Sequence, residues 1–132
     1  MRNTQTLYLY LRCSTDSQIE KDSIDRQKQM GLKFFEEKKS ELGFTDYKII
    51  EDKGRSRFHG MDKREKLMEL IDSVDMGIVK FIWVEDWSRL TGEIEDIIKI
   101  ETKVIDGKVT IFDGMYGNKP YKVDDMMVRM FT

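Results

Sequence analysis

Cysteine, histidine and proline each occur only once in the chain, and these shortages narrow its chemistry. The single cysteine, Cys13, cannot form a disulfide within the chain and fits a reducing compartment. The single histidine, His59, lies in a polar segment and gives little support to Ser-His-Asp catalysis. No apolar run approaches the roughly 20 residues of a membrane span, and no signal peptide is apparent. We therefore expect a cytoplasmic protein that does not enter a membrane.

The chain also lacks an excess of positive charge, because 23 basic residues stand against 25 acidic ones and the net charge is −2. Proteins that bind DNA on their own usually carry a strong positive balance, since phosphate contacts supply most of the affinity. Positive charge is nevertheless concentrated locally, at Lys53, Arg55, Arg57, Lys63, Arg64 and Lys66. If the chain acts on nucleic acid, we expect either this segment or another domain to hold the duplex.

Short apolar runs alternate with helical patterns, which predicts an α/β fold with a mostly parallel sheet of about four strands and helices on both faces. The predicted strands are residues 6–13, 47–50, 78–84 and 109–112. The predicted helices begin near Ser23, at Asp62 and near Glu93.

Each predicted helix has an apolar stripe at helical spacing. The first contains Ile24, Gly31, Phe34 and Phe35, with Gln27 as a polar residue on the same stripe. The inward residues of the other two helices are predicted to be Leu67, Leu70, Ile71 and Val74, and then Ile94, Ile97, Ile98 and Ile105.

Three polar loops, at residues 16–22, 53–61 and 85–92, follow predicted strands. Because the carboxyl ends of parallel strands meet at one edge of a sheet, these loops predict a site there. The polar residues expected at that edge are Arg12, Ser14, Gln18, Gln27, Arg55, Ser56, Arg57, Arg64, Ser88 and Arg89.

Arg12 and Ser14 are the most informative pair in the chain. They are two residues apart at a strand end, so their side chains share one face. A hydroxyl beside guanidinium groups suits attack on a phosphodiester, because planar cations stabilise the charge that develops on the phosphate oxygens. The alternative is an ordinary turn, in which Ser14 begins the turn and Arg12 is a solvated strand end.

Other phosphate chemistries have weaker support. The chain contains no Gly-x-x-x-x-Gly-Lys motif, which argues against a nucleotide phosphotransferase. Asp52, Asp86 and Asp113 follow three different strands and could hold Mg²⁺, although acidic residues at such places also begin turns and helices. We favour a metal-free reaction without a cofactor.

Four motifs in order resemble the catalytic domain of the serine recombinases, the family of resolvases, invertases and large serine integrases. They are YLRCST at residues 10–15, the spacing of Gln18, Ser23 and Gln27, DKGRS at residues 52–56 followed by Arg64, and IWVEDWSRL at residues 82–90. Each motif alone is weak, but together they cover nearly the whole chain in the family's order.

The resemblance implies a site-specific DNA recombinase. Ser14 would cleave DNA through a 5′-phosphoserine intermediate without metal or ATP, and Arg12, Arg64 and Arg89 would bind the phosphate. Gln27, Ser56, Gln18 and Ser88 would be supporting residues. The implied partners are double-stranded DNA recombination sites and further copies of the protein, as a dimer and a synaptic tetramer.

The resemblance has one departure. Ser88 replaces the usual aspartate, and Gly92 stands where the family has another arginine; a register shifted by three would instead make Arg89 that second arginine. Arg55 or Arg57 could compensate. A catalytically weakened, DNA-associated relative and an unrelated α/β domain that binds a small anion therefore stay open as alternatives.

The predicted boundaries place a resolvase-like catalytic domain at residues 1–120 and the start of an interface or linker helix at residues 121–132. The second segment is apolar and ends without a helix cap, which suggests a piece of a larger protein. We expect the chain alone to be inert on DNA and at most weakly dimeric.

Overall fold

The computed structural model describes residues 5–13, 18–53, 65–86 and 94–121. The strands are β1 (Thr6–Cys13), β2 (Asp46–Lys53), β3 (Phe81–Val84), β4 (Thr110–Asp113) and β5 (Lys119–Pro120). The helices are α1 (Gln18–Leu42), α2 (Glu65–Asp75) and α3 (Ile94–Ile105), and a short 3-10 helix covers Gly114–Tyr116. The alternation of strands and helices confirms the predicted α/β fold.

The strands form one five-stranded sheet in the order β2-β1-β3-β4-β5. β1 to β4 are parallel, and β5 pairs antiparallel with β4. The carboxyl ends of β1 to β4 therefore meet at one edge of the sheet, which we call the rim. The prediction of about four strands missed β5, a two-residue edge strand that contains Pro120.

The central strands of the sheet are buried on both faces, as predicted. Leu7, Leu9 and Leu11 alternate along β1 on one face and pack into a cluster with residues of α1. Tyr10 belongs to a second cluster, on the opposite face, with residues of α2 and α3. Successive side chains of a strand point to opposite faces, so one strand serves both clusters. The largely apolar sequence of β1 follows from this double burial.

Some predicted boundaries were wrong. The first helix begins at Gln18, not near Ser23, so that part of the predicted loop 16–22 is helical. The third strand begins at Phe81, not at residue 78, because a turn with Gly77 at positive φ separates it from α2. Ile78 lies in that turn and is 58% exposed. An apolar run does not reveal where a strand begins when an exposed isoleucine precedes it.

The apolar stripe predicted for the third helix was also partly wrong. Ile98 and Ile105 are 56% and 67% exposed, whereas Ile100 is buried and Val104 packs against the same cluster. The isoleucine and valine side chains of this helix form one broad face, and the structure buries only the side of that face that contains Ile100 and Val104. In α2, by contrast, Leu70, Ile71 and Val74 are buried as predicted. The side chains of Leu67, Ile94 and Ile97 lie outside the description.

α2 and α3 are joined by an ion pair at the end of the sheet opposite the rim. Lys103 Nζ lies 2.7 Å from Asp75 Oδ1, and Lys108 Nζ lies 3.9 Å from the same oxygen. The hydrogen bond from Lys103 is the main cause that lowers the pKa of Asp75. None of the helices in the described ranges combines the length and apolar character needed to cross a bilayer.

Gly31 lets α1 approach the sheet closely. A Cβ atom at this position would lie 3.1 Å from Trp83 Cε3 and 3.2 Å from Leu9 Cδ2. Both neighbours are fully buried, so little space is available for a side chain. This contact sets the height of α1 above β1 and β3, two of the strands that lead to the rim.

We expect Gly31→Val to lower the free energy of unfolding by about 1–3 kcal/mol, the usual cost of overfilling a packed core. Urea denaturation would measure the loss. Lys33→Val is the matched control, because Lys33 is exposed on the same helix and the substitution tests only the helix propensity of valine. Equal stabilities of the two variants would contradict the close packing of α1 on the sheet.

Candidate active site

The segments that carry the predicted site residues leave the rim. β1, β2 and β3 all end there, and they are followed by residues 14–17, 54–64 and 87–93. Ser14, Ser56, Arg64, Ser88 and Arg89 belong to these segments and lie outside the described residues, as do Arg55, Arg57, His59 and Gly92. Of the predicted site, the structure places Arg12, Gln27 and the backbone of Gln18, which is the first residue of α1.

Gln27 holds the backbone of Arg12 with two hydrogen bonds. The side-chain oxygen of Gln27 accepts from the amide nitrogen of Arg12 at 3.1 Å, and its Nε2 donates to the carbonyl oxygen of Arg12 at 2.9 Å. Nε2 also lies 3.2 Å from the hydroxyl oxygen of Ser23, one turn earlier in α1. Gln27 is only 3% exposed, which explains why a polar residue stands on the apolar stripe of α1.

The two hydrogen bonds between Gln27 and the backbone of Arg12, which we call the clamp, lie where the pairing of β1 with β3 stops. The last pair of that ladder is Tyr10↔Val84, whereas β1 continues to Cys13 beside β2. Past the last pair, the peptide groups of β1 that face β3 need other partners, because an unpaired buried peptide group is costly. The amide of Gln27 supplies both a donor and an acceptor. It thereby fixes the strand end two residues before Ser14.

The side chain of Arg12 belongs to the face of the sheet opposite α1. Leu11 packs in the α1 cluster and Tyr10 in the α2–α3 cluster, so alternation assigns Arg12 to the α2 side. The first residue of α2 is Glu65, directly after Arg64 in the chain. α2 follows β2 and precedes β3, so it begins at the rim. The structure thus brings the beginning of α2 to the face on which Arg12 lies.

A second contact of α1 reaches the end of β3. Arg26 Nε donates to Glu85 Oε2 at 2.9 Å, and its Nη2 donates to Glu85 Oε1 at 3.0 Å, in a bidentate ion pair. The side chain of Glu85 is only 7% exposed, whereas that of Arg26 is 54% exposed. The pair therefore neutralises a buried carboxylate at the rim.

The backbone of Glu85 is held from the other side by the segment that follows β4. The carbonyl oxygen of Glu85 accepts from the amide nitrogen of Met115 at 2.8 Å. A Cβ atom at Gly114 would lie 3.0 Å from the same oxygen, so a larger residue would clash there. Asp113 Oδ1 accepts from the Met115 amide at 2.9 Å, which is the turn-starting role considered as the alternative to Mg²⁺ binding.

The sequence comparison decides the family. Residues 7–132 match the family described as Resolvase, N terminal domain. The chain belongs to this family. No curated protein matches the sequence at a significant level. The predicted resemblance to serine recombinase catalytic domains is therefore confirmed, and the chain carries the fold of DNA strand-transfer enzymes.

Three solved structures share this fold. A resolvase family site-specific recombinase from Streptococcus pneumoniae is 25% identical, with a TM-score of 0.63 over 96% of this chain and 83% of that one. The N-terminal catalytic domain of TP901-1 integrase is 16% identical, with a TM-score of 0.58 over 96% and 90% of the two chains. The C-terminal catalytic domain of ISC1926 TnpA, an IS607-like serine recombinase, is 16% identical, with a TM-score of 0.59 over 95% and 77%.

The sequence analysis missed the pairing of Arg26 with Glu85. Arg26 reads as one of many charged residues on a solvated helix, and 59 residues separate it from its partner. The available signal was Glu85 itself, a carboxylate directly after a buried strand of a parallel sheet. The role of Gln27 in holding Arg12 was missed as well, although its place on the apolar stripe marked it as unusual.

We expect Gln27→Met to lower the free energy of unfolding by about 1–3 kcal/mol, because the amide and the carbonyl of Arg12 lose their two hydrogen bonds with Gln27. Hydrogen exchange at the Arg12 amide should become faster in this resolvase domain, and NMR would measure it. Gln29→Met is the matched control, because Gln29 is exposed on the same helix. Unchanged exchange at Arg12 would show that the clamp does not hold the strand end in solution.

Proposed function

We propose that the chain is the catalytic domain of a site-specific DNA recombinase in which Ser14 is the nucleophile. The observation that carries this proposal is the clamp of Gln27 on Arg12, which fixes the strand end two residues before Ser14 in a resolvase-family fold. A nucleophile that must meet one phosphorus atom needs such a rigid support.

The proposed reaction exchanges one phosphodiester for another. Ser14 Oγ attacks the phosphorus, and the bond from phosphorus to the 3′ oxygen breaks. The proton released by the serine ends on the 3′ oxygen, which leaves as a hydroxyl. The protein is then joined to the 5′ phosphate through a serine ester. Because the serine ester conserves the energy of the broken phosphodiester bond, a 3′ hydroxyl can attack the ester and rejoin the DNA without ATP or a metal ion.

Arginines would carry the negative charge that develops on the phosphate. Arg12 lies on the α2 side of the sheet, Arg64 directly precedes α2, and Arg89 follows Glu85 by four residues. A residue spans at most about 3.5 Å, so Ser14 lies within about 7 Å of Arg12 and Arg89 within about 14 Å of Glu85, measured between Cα atoms. These limits allow all three cations to meet at the rim near Ser14. In this proposal Gln18, Gln27, Ser56 and Ser88 are supporting residues.

The substrate we propose is double-stranded DNA with a recombination site, bound by a dimer that assembles into a synaptic tetramer. The net charge of −2 gives this chain little affinity for phosphates by itself. Residues outside the catalytic domain would then supply most of the DNA binding. Residues 121–132 would begin the helix that leads to them.

One feature of the sequence favours a second candidate. Gly92 replaces an arginine expected from the family, which leaves one cation fewer unless Arg55 or Arg57 replaces it. The second candidate is a DNA-associated relative with the same fold and weak or no cleavage activity. Covalent attachment to DNA separates the two candidates.

We expect the full-length wild-type protein to form a covalent adduct with DNA, and Ser14→Ala to abolish it. Sheared genomic DNA of the source organism is the probe, because it contains sites that the protein recognises without their sequence being known. Precipitation with dodecyl sulfate and potassium recovers protein-linked DNA, and sequencing identifies the attached duplex.

Ser40→Ala is the matched control, because Ser40 is exposed near the C-terminal end of α1, away from the rim. It should leave the adduct unchanged. An adduct that survives Ser14→Ala would contradict the assignment of the nucleophile. A wild-type protein that binds DNA without forming an adduct would support the weakened relative.

We also expect Arg64→Gln and Arg89→Gln each to slow adduct formation by about 10²–10³-fold, the usual cost of removing one donor from a transition-state site. The rate would be measured on the duplex recovered with the wild-type protein. Lys33→Gln removes the same charge from an exposed position on α1 and should not change the rate. If an arginine variant forms the adduct as fast as Lys33→Gln does, the substituted arginine does not belong to the proposed site.

A further inference from the structure

We propose that Arg26 and Glu85 are a positioning pair, which together with Gln27 holds the end of β1, two residues before Ser14, and the residue after β3, four residues before Arg89, at a defined separation. This inference rests on the proposed function, because it concerns the placement of the nucleophile and of a phosphate-binding cation. Neither Arg26 nor Glu85 is proposed to touch the substrate.

Two consecutive residues of α1 contact the ends of two neighbouring strands. Gln27 bonds the backbone of Arg12 at the end of β1, at 2.9 and 3.1 Å. Arg26 forms its bidentate pair with Glu85, the residue directly after β3, at 2.9 and 3.0 Å. The third turn of α1 thus bridges the two strand ends.

The bridge lies where the backbone no longer joins β1 to β3. The ladder between the two strands ends at Tyr10↔Val84, so Arg12 and Glu85 both lie beyond it. β1 remains paired to β2 up to Cys13, and Glu85 remains bonded to Met115 beyond β4. Each strand end therefore has a support on its outer side. The contacts of Arg26 and Gln27 connect the end of β1 to the end of β3, beyond the last backbone pair of the two strands.

The charges of the pair matter as well as its geometry. Glu85 carries a carboxylate whose side chain is 7% exposed, at the edge of the sheet where a phosphate is expected. Without Arg26, this buried charge would lose a bidentate partner and would repel the phosphate. Removal of Arg26 alone should therefore be more harmful than removal of both charges together.

The expected effect is on the rate and not on DNA affinity. A displacement of about 1 Å in a reacting group can cost about 10²-fold in rate. Phosphate contacts made elsewhere along the duplex dominate DNA affinity, and Arg26 is not one of the proposed phosphate ligands. The pair should therefore influence the step in which Ser14 attacks.

The test compares Arg26→Gln, Glu85→Gln and the double variant in the full-length protein. The probe is the duplex recovered with the wild-type protein. At saturating DNA we expect Arg26→Gln to slow adduct formation by about 10- to 100-fold, with a dissociation constant within about twofold of wild type. The double variant should be faster than Arg26→Gln. Hydrogen exchange at the Arg12 amide, measured on the 132-residue chain without DNA, should be faster in Arg26→Gln.

Arg26→Lys separates geometry from charge, because lysine keeps the charge but cannot form the bidentate fork. A positioning role predicts that Arg26→Lys is also slowed by about tenfold or more. If Arg26→Lys forms the adduct at the wild-type rate, the geometric role of the pair is wrong. If Arg26→Gln does not fold, Arg26→Lys decides in its place.

Lys39→Gln is the matched control, because Lys39 forms an ion pair with Glu36 at 2.9 Å on the same helix, away from the rim. It should change neither the rate nor the exchange at Arg12. Wild-type rates in Arg26→Gln and Glu85→Gln, at a temperature where both are folded, would overturn the inference while the Ser14-dependent adduct persists. Absence of that adduct in the wild-type protein would overturn the proposed function and, with it, this inference.

Discussion

The termination of the β1–β3 ladder is the constraint on which the rim depends. Parallel strands of unequal length leave peptide groups without a neighbour at the end of the longer strand. In this protein β1 extends beyond β3, and α1 bonds the backbone amide and carbonyl of Arg12 through Gln27. A buried glutamine thus replaces a missing piece of strand and bonds the backbone of Arg12, two residues before Ser14.

The position of α1 makes this replacement possible. Gly31 permits a close approach to Trp83 and Leu9, and the aromatic residues Phe34 and Phe35 continue the contact farther along the helix. α1 therefore lies low enough over the sheet for the amide of Gln27 to reach the backbone of β1. The same packing places Arg26 next to Glu85 on the adjacent strand. Core packing and the construction of the rim are consequences of one helix position.

The placement of individual charges matters more for phosphate binding than the net charge of the chain. A net charge of −2 is unfavourable for binding a polyanion, yet the residues proposed to meet the phosphate are arginines from three separate segments. Glu85, directly after β3, carries a carboxylate that Arg26 neutralises in the folded protein. This ion pair compensates a charge at the rim that would otherwise repel phosphate. A sum over the whole sequence conceals this arrangement.

The sequence by itself determined the α/β class, the parallel core strands and the family, because these depend on the order of apolar runs and on motifs that are local in the chain. It placed β1 correctly at Thr6–Cys13, since an apolar strand buried on both faces has a strong local signal. It did not determine which isoleucines of α3 are buried, because the apolar face of that helix is wider than the part that the sheet and α2 cover. Only the tertiary structure decided that Gln27 holds Arg12 and that Arg26 meets Glu85, since both contacts join residues from separate elements. Their geometry depends on the height of α1 above the sheet and on where β3 ends, and no local pattern in the sequence encodes either quantity.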